Sequence, residues 1–139
     1  MFNPGVTIEM LNDKFNVNMT KFLGIEYTEL GKNYILGKMP VDERTQQPFG
    51  ILHGGASVVF AESLGSLASN IIVDQKKQYC VGLDINANHV KGATDGFVYG
   101  KATAVHIGKR THVWQIDITN NKEELVCTSR LTIAVIDRK

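Results

Sequence analysis

Ile51-Leu52-His53-Gly54-Gly55-Ala56-Ser57-Val58-Val59-Phe60-Ala61-Glu62-Ser63-Leu64-Gly65-Ser66-Leu67-Ala68-Ser69-Asn70-Ile71-Ile72-Val73 runs twenty-three residues with one charged side chain, Glu62. Apolar residues at Val58, Val59, Phe60, Ala61, Leu64, Leu67, Ala68, Ile71 and Ile72 cover nearly the whole helical wheel, which predicts a helix buried on most sides. Gly54, Gly55, Ala56, Ala61, Gly65 and Ala68 leave room for strands to approach it closely. A carboxylate inside such an element is costly to desolvate, so Glu62 needs either partners or a chemical task. By length alone the stretch resembles a membrane span. His53, Glu62, Asn70 and four serines oppose insertion, so no membrane role is expected.

Outward from this helix the pattern is strand-rich. Thr7 to Phe15 has weak helical spacing at Ile8, Leu11 and Phe15. Phe22 to Leu30 and Asn33 to Val41 read as a hairpin turning at Gly31-Lys32, and Asp42 to Gly50 as a polar loop containing Pro48. After a charged connection from Asp74 to Gln78, Cys80 to Val90 alternates, with Val81, Leu83, Ile85 and Ala87 on one face. Gly92 to Gly96 turns into Phe97 to Ile107, whose face of Val98, Gly100, Ala102, Ala104 and His106 is small enough to accept a helix. Gly108-Lys109-Arg110 turns into Thr111 to Thr119, alternating through His112, Trp114, Ile116 and Ile118. Asn120 to Lys122 turns again, and Leu125 to Ile136 closes the chain. The expected architecture is α+β: one long central helix wrapped by a curved antiparallel sheet of about six strands.

The 139 residues are read as a single domain, 1–139, large enough for a core. Hydrophobic content of 43% with 21% charged residues fits a soluble globular protein. A formal charge of +1 argues against a nucleic-acid partner. The start, Met1-Phe2-Asn3-Pro4-Gly5, has no signal-peptide pattern, and Cys80 and Cys127 read as reduced thiols, so a cytoplasmic location is expected.

The residues Gln47-Pro48-Phe49-Gly50-Ile51-Leu52-His53-Gly54-Gly55-Ala56, followed by Ala61-Glu62-Ser63, resemble the signature of hotdog-fold acyl-CoA thioesterases. The likeness extends to Val81-Gly82-Leu83, Asn86-Ala87-Asn88-His89-Val90 and His106-Ile107-Gly108, covering roughly Phe22 to Val135. It is similar to the branch holding the 1,4-dihydroxy-2-naphthoyl-CoA hydrolases and the enterobactin proofreading thioesterases. The resemblance implies the hotdog fold, an acyl-CoA substrate with an aromatic or bicyclic acyl group, and a homodimer or homotetramer with sites at the subunit boundary. It implies no cofactor beyond the coenzyme A of the substrate.

The residues carry the chemistry independently. Thioester hydrolysis needs a group that attacks or activates water and donors for the developing oxyanion. His53-Gly54-Gly55 opens the helix, where unpaired N–H groups and partial positive charge gather. Gly54 N–H is therefore the candidate oxyanion donor, with His53 and Gln47 orienting the thioester. Glu62 is the candidate nucleophile or general base, and Ser66, one turn on, the candidate holder of the attacking water. Purely structural roles compete for each: a carboxylate held by backbone donors, helix-start glycines, a capping His53, a space-making Ser66. Gly54 and Glu62 stand eight residues apart, about 12 Å along a helix. One carbonyl cannot touch both, so either the helix breaks or two protomers share the site.

Coenzyme A carries phosphates, so cations and backbone donors should line its path. By resemblance that path comprises Gly82, the segment His89, Val90, Lys91 and Gly92, and the segment His106, Ile107, Gly108, Lys109, Arg110 and Thr111. A core position competes for His89, and solvated turn charges for Lys91, Lys109 and Arg110. No metal-ligand spacing is present, and no Gly-x-Ser-x-Gly elbow for a serine triad. Two other functions remain open: a proofreading thioesterase acting on an acyl carrier protein, and a non-catalytic acyl-CoA-binding module.

Overall fold

The computed structural model describes residues 1–139. Helix α1 (Ile8–Met10) runs into a π-helical turn at Leu11–Phe15, and a short α2 (Met19–Phe22) precedes the hairpin of β1 (Glu26–Leu30) and β2 (Tyr34–Pro40). The long helix α3 (Gly54–Asn70) follows, then β3 (Gln78–His89), β4 (Phe97–Ile107), β5 (Thr111–Thr119) and β6 (Leu125–Asp137). All six strands join one antiparallel sheet in the order β1-β2-β4-β5-β6-β3, curved around α3 as in the hotdog fold. No helix is long and apolar enough to cross a membrane.

The helix reaches the sheet closely because glycines face it. A Cβ on Gly100 would lie 2.6 Å from a Leu64 methyl and 2.9 Å from the Phe60 ring, and one on Gly37 2.9 Å from the other Leu64 methyl. The helix returns the favour at Gly65, where a Cβ would fall 2.5 Å from Leu131. Around this contact Phe60, Leu64, Ile35, Trp114, Ile116, Ile118, Leu131 and Ile133 are fully buried.

Four readings of the sequence change. Phe22 does not begin the first strand; it ends α2, and β1 starts only after Gly24, whose φ of +74° turns the chain. On β3 the simple alternation fails: a bulge between Gly82 and Asp84 resets the pleat. Cys80 is therefore buried, while Val81 and Leu83 are 43% and 63% exposed on an edge strand. A second bulge, between Ala104 and His106 on β4, takes His106 off the helix-facing side, and its ring lies over Gly108. Finally, α3 is not enclosed all round. Val58, Val59, Glu62, Ser63, Ser66 and Asn70 form a stripe that the chain's own sheet leaves partly open.

A polar knot sits inside the core. Trp114 Nε1–H donates to Ser69 Oγ (2.8 Å), and His112 Nδ1 lies 2.9 Å from the same hydroxyl. His112 is 1% exposed. Desolvation holds its pKa below the ordinary histidine value, with His106 acting in the same direction and the Gly108 backbone opposing. Because the folded pKa lies below the unfolded one, the unfolded chain takes up the proton first on acidification. Stability is thus full above the unfolded value of about 6.5 and declines as pH falls below it. Urea unfolding of the wild type should show a midpoint that drops between about pH 7.5 and 5.5, and His112→Gln should flatten that slope while lowering the midpoint at the higher pH. Equal slopes in the two proteins would show that His112 titrates alike in both states.

Candidate active site

α3 starts with a side-chain cap. His53 holds extended backbone (φ −67°, ψ 131°), and its Nδ1 accepts from Gly55 N–H at 2.8 Å. Its own N–H donates to Thr45 carbonyl at 2.8 Å, which ties the polar loop to the helix start. Gly54 N–H, the first of the helix, has no hydrogen-bond partner. A cavity of about 390 Å³ opens before it, lined by Gln47, Ile51, Leu52, Gly54, Ser57, His89, Val90, Lys91, Gly92 and Val126. Gln47 Oε1 is occupied by Phe49 N–H. His89 is exposed, which excludes a satisfied core histidine; after the β3 bulge it points at the helix start. A Cβ on Gly54 would stand 3.0 Å from its Nε2, so a larger residue there would crowd the imidazole at the helix start.

Glu62 belongs to a different cavity. Half-buried, with no ion pair or side-chain hydrogen bond within the chain, it lines a cleft of about 500 Å³ with Ser63, Ser66, Leu67 and Asn70 of the helix, facing Phe15, Thr20 and Tyr27, with Gln75 and Arg138. Gly82 lies directly beside it; any side chain there would strike Glu62 Oε1. The Asn70 carboxamide locks this geometry by donating to Ser66 carbonyl (2.9 Å) and Cys80 carbonyl (3.1 Å) while its oxygen accepts from Cys80 N–H (2.9 Å). The opposite wall is tied by Asn12, which donates to Tyr27 carbonyl (2.8 Å) and accepts from Tyr27 N–H (3.0 Å). Burial pushes the Tyr27 phenol up to about 12, so it is a neutral donor at physiological pH.

α3 is continuous from Gly54 to Asn70, so the broken-helix alternative falls. The backbone positions of Gly54 and Glu62 stand about 12 Å apart along one continuous helix. The two segments assigned to coenzyme A are separated as well. Val90, Lys91 and Gly92 sit at the start of α3, whereas Ile107, Gly108, Lys109 and Arg110 line a third cavity, of about 430 Å³, beyond its end. Their cations are mostly engaged: Lys91 pairs with Glu124, and Arg110 with Asp137 at 2.8 Å, leaving Lys109 without a carboxylate. The Lys91 and Asn120 contacts hold the Glu124 carboxyl below its ordinary range. Thr111 carbonyl accepts from Gly108 N–H (2.9 Å) and closes the turn. No three histidine, cysteine, aspartate or glutamate side chains gather as a ligand set.

Several lining residues escaped the sequence reading. Ser63 lay inside the quoted run, one position from Glu62. Phe15, Thr20, Tyr27, Gln75 and Arg138 come from distant segments, and nothing local marks them.

Known proteins share this fold. The thioesterase superfamily profile matches residues 49–127. A 1,4-dihydroxy-2-naphthoyl-CoA hydrolase of Escherichia coli is 49% identical over 131 residues, 94% of this chain and 96% of that protein. A proofreading thioesterase of Cronobacter turicensis is 42% identical over 131 residues, 94% and 95% of the two chains. The crystal structure of a mutant thioesterase from Pseudomonas aeruginosa superposes with a TM-score of 0.95 at 44% identity, covering 99% of each chain.

The cap predicts a separable role for His53. His53→Ala should lower stability by about 0.5–2 kcal/mol in urea unfolding, and His53→Asn, which restores a capping oxygen, should recover most of that loss. Equal losses in both would mean the ring packs rather than caps.

Proposed function

Since this chain is a member of the thioesterase superfamily, and so a thioester hydrolase, we propose that it cleaves acyl-CoA carrying an aromatic or bicyclic acyl group, 1,4-dihydroxy-2-naphthoyl-CoA among the candidates, with Glu62 as nucleophile or general base. The observation that carries this reading is the Glu62 carboxylate itself: unpaired, beside Gly82, and opening onto a cleft of about 500 Å³. A scaffolding carboxylate would be neutralised by donors; this one is left available.

In the proposed reaction Gly54 N–H receives the carbonyl oxygen as negative charge develops there. Glu62 either attacks the carbonyl carbon, giving an acyl-glutamyl anhydride that water hydrolyses, or takes a proton from the attacking water. Ser66, whose hydroxyl faces the same cleft, holds that water. In both versions the C–S bond breaks, coenzyme A leaves as thiolate and is protonated, and the free acid departs. No cofactor beyond the coenzyme A of the substrate is invoked.

Gly54 and Glu62 cannot reach one carbonyl from one helix, so we assign the site to two protomers of a homodimer, which can assemble further into a tetramer. Supporting this, β3 is a twelve-residue edge strand with apolar Val81 and Leu83 exposed, and the open stripe of α3 lies beside it. Antiparallel pairing of two such edges sets the start of one helix toward the later half of the other. It also joins the two coenzyme A segments that a single chain holds apart. A carrier protein in place of coenzyme A is the alternative reading, and one relative is a proofreading thioesterase. Two of the cations near these cavities, Lys91 and Arg110, are already paired with carboxylates, which leaves them less available to an acidic carrier. The cytoplasm suits the thiols: Cys127 pairs in register with His89, nine residues along β3 from Cys80 and so about 30 Å away, beyond any disulfide within the chain.

Three measurements test this function. Free-thiol release from aromatic, branched and straight-chain acyl-CoAs should favour the aromatic members, and Glu62→Ala should abolish it; mixing inactive Glu62→Ala and Gln47→Ala proteins should, after subunit exchange, restore about a quarter of wild-type activity, since half of the dimers are mixed and each keeps one intact site of two. Undiminished cleavage by Glu62→Ala, or no recovery despite proven exchange, would refute the respective claim. Gly82→Ala should displace the carboxylate and lower kcat about 100-fold with little change in the thermal midpoint; wild-type kcat in that variant would place the reacting carbonyl elsewhere.

A further inference from the structure

We propose that Arg138 selects acyl groups bearing an anionic oxygen at the end remote from the thioester, with aryl carboxylates as the substrate class. This deepens the acyl-CoA reading above and rests on it.

The Glu62 cleft is elongated. From the carboxylate it follows Ser63, Ser66, Leu67 and Asn70 along α3, and Gln75 and Arg138 extend its lining past the end of that helix. Glu62 to Asn70 alone spans about 12 Å, room for a two-ring acyl group laid along the helix. Arg138 is held in place from three directions. Its backbone N–H donates to Lys77 carbonyl (2.7 Å), its Nε–H donates to Gln75 carbonyl (2.8 Å), and its guanidinium lies over the Tyr79 ring, 5.2 Å from the centroid. No carboxylate pairs with it, so both terminal nitrogens stay free to donate.

The neighbouring amide N–H donors, those of Asn70 and Gln75, are engaged. The Asn70 carboxamide is consumed by Ser66 and Cys80, and Gln75 Nε2 donates to Asn70 carbonyl at 2.9 Å. Arg138 is thus the one cation lining the cleft, and it stands at the opposite end from its one anion, Glu62. This polarity sorts substrates. A negative substituent close to the thioester would meet Glu62 at short range. One at the far end is separated from Glu62 by more than a screening length of about 8–10 Å and meets a planar, pre-positioned fork of donors.

The test compares 6-carboxy-2-naphthoyl-CoA with 6-nitro-2-naphthoyl-CoA, planar substituents of like shape that differ in charge. Each is assayed with full-length wild type, Arg138→Met and Arg138→Lys, so that intrinsic reactivity cancels in the ratio of kcat/KM. The carboxylate-to-nitro ratio should fall about tenfold to a hundredfold in Arg138→Met, mostly through KM, and recover in part in Arg138→Lys. Calorimetric binding of the same pair to Glu62→Ala, with and without Arg138→Met, reads the same ratio without turnover. An unchanged ratio, or equal losses on both substrates, overturns the proposal and leaves Arg138 as an anchor of the C-terminal strand. Persistent turnover by Glu62→Ala would strike the assigned role of Glu62 instead, and the ratio would still judge Arg138.

Discussion

The structure depends on how closely α3 can approach its sheet. Gly37 and Gly100 on neighbouring strands β2 and β4 admit Phe60 and Leu64, and Gly65 on the helix admits Leu131. Dense packing of this kind tolerates no extra methyl without strain. The helix is thereby fixed in height and rotation against the strands. Everything chemically interesting lies on the part of α3 that this contact turns away from the sheet centre. Glu62, Ser63, Ser66 and Asn70 fall on one stripe because Phe60, Ala61, Leu64 and Ala68 are committed to the core.

A second constraint converts that rotation into a site. Asn70 spends its whole carboxamide on Cys80 and Ser66, pinning the end of α3 to the start of β3. Two residues later β3 reaches Gly82, where the missing side chain admits the Glu62 carboxylate, and there the bulge begins. The bulge turns Ile85, Ala87 and His89 back toward the helix, so His89 arrives beside Gly54. Both ends of the proposed chemistry are therefore set by one strand read against one helix. The result is that Glu62 and Gly54 sit about 12 Å apart along the helix backbone, which makes an isolated chain an incomplete enzyme in the proposed mechanism.

The cavities divide polar work in a consistent way. Groups that build the frame are satisfied: Ser69 with Trp114 and His112, Asn12 with Tyr27, Asn70 with Cys80. Groups that open on the cavities are not: Gly54 N–H, the Glu62 carboxylate and the terminal nitrogens of Arg138. Unsatisfied polar groups are costly in a scaffold; apart from these cleft groups, one buried side-chain acceptor, Asn16 Oδ1, is left without a partner.

Much was legible in the sequence for local reasons. The apolar run with its glycines and lone Glu62 specified the helix, the alternation of His112, Trp114, Ile116 and Ile118 specified an inward face, and Val98, Gly100 and Ala102 specified a seat for the helix. Each is a period or composition expressed within a few residues. Local pattern failed at β3 and β4, because a bulge shifts the period by one residue and leaves no mark that alternation can read. It failed for Phe15, Tyr27 and Arg138, which come to line the same cleft as Glu62 only through long-range folding. The sequence alone thus determined the long helix and the six strands, though not the short α2, and that one carboxylate is set apart, since periodicity and desolvation act along the chain. Tertiary structure alone decided which side of α3 stays open, which residues from 15 to 138 wall its cleft, and that Gly54 and Glu62 face different cavities. Those outcomes depend on packing distances between segments that are remote in the chain.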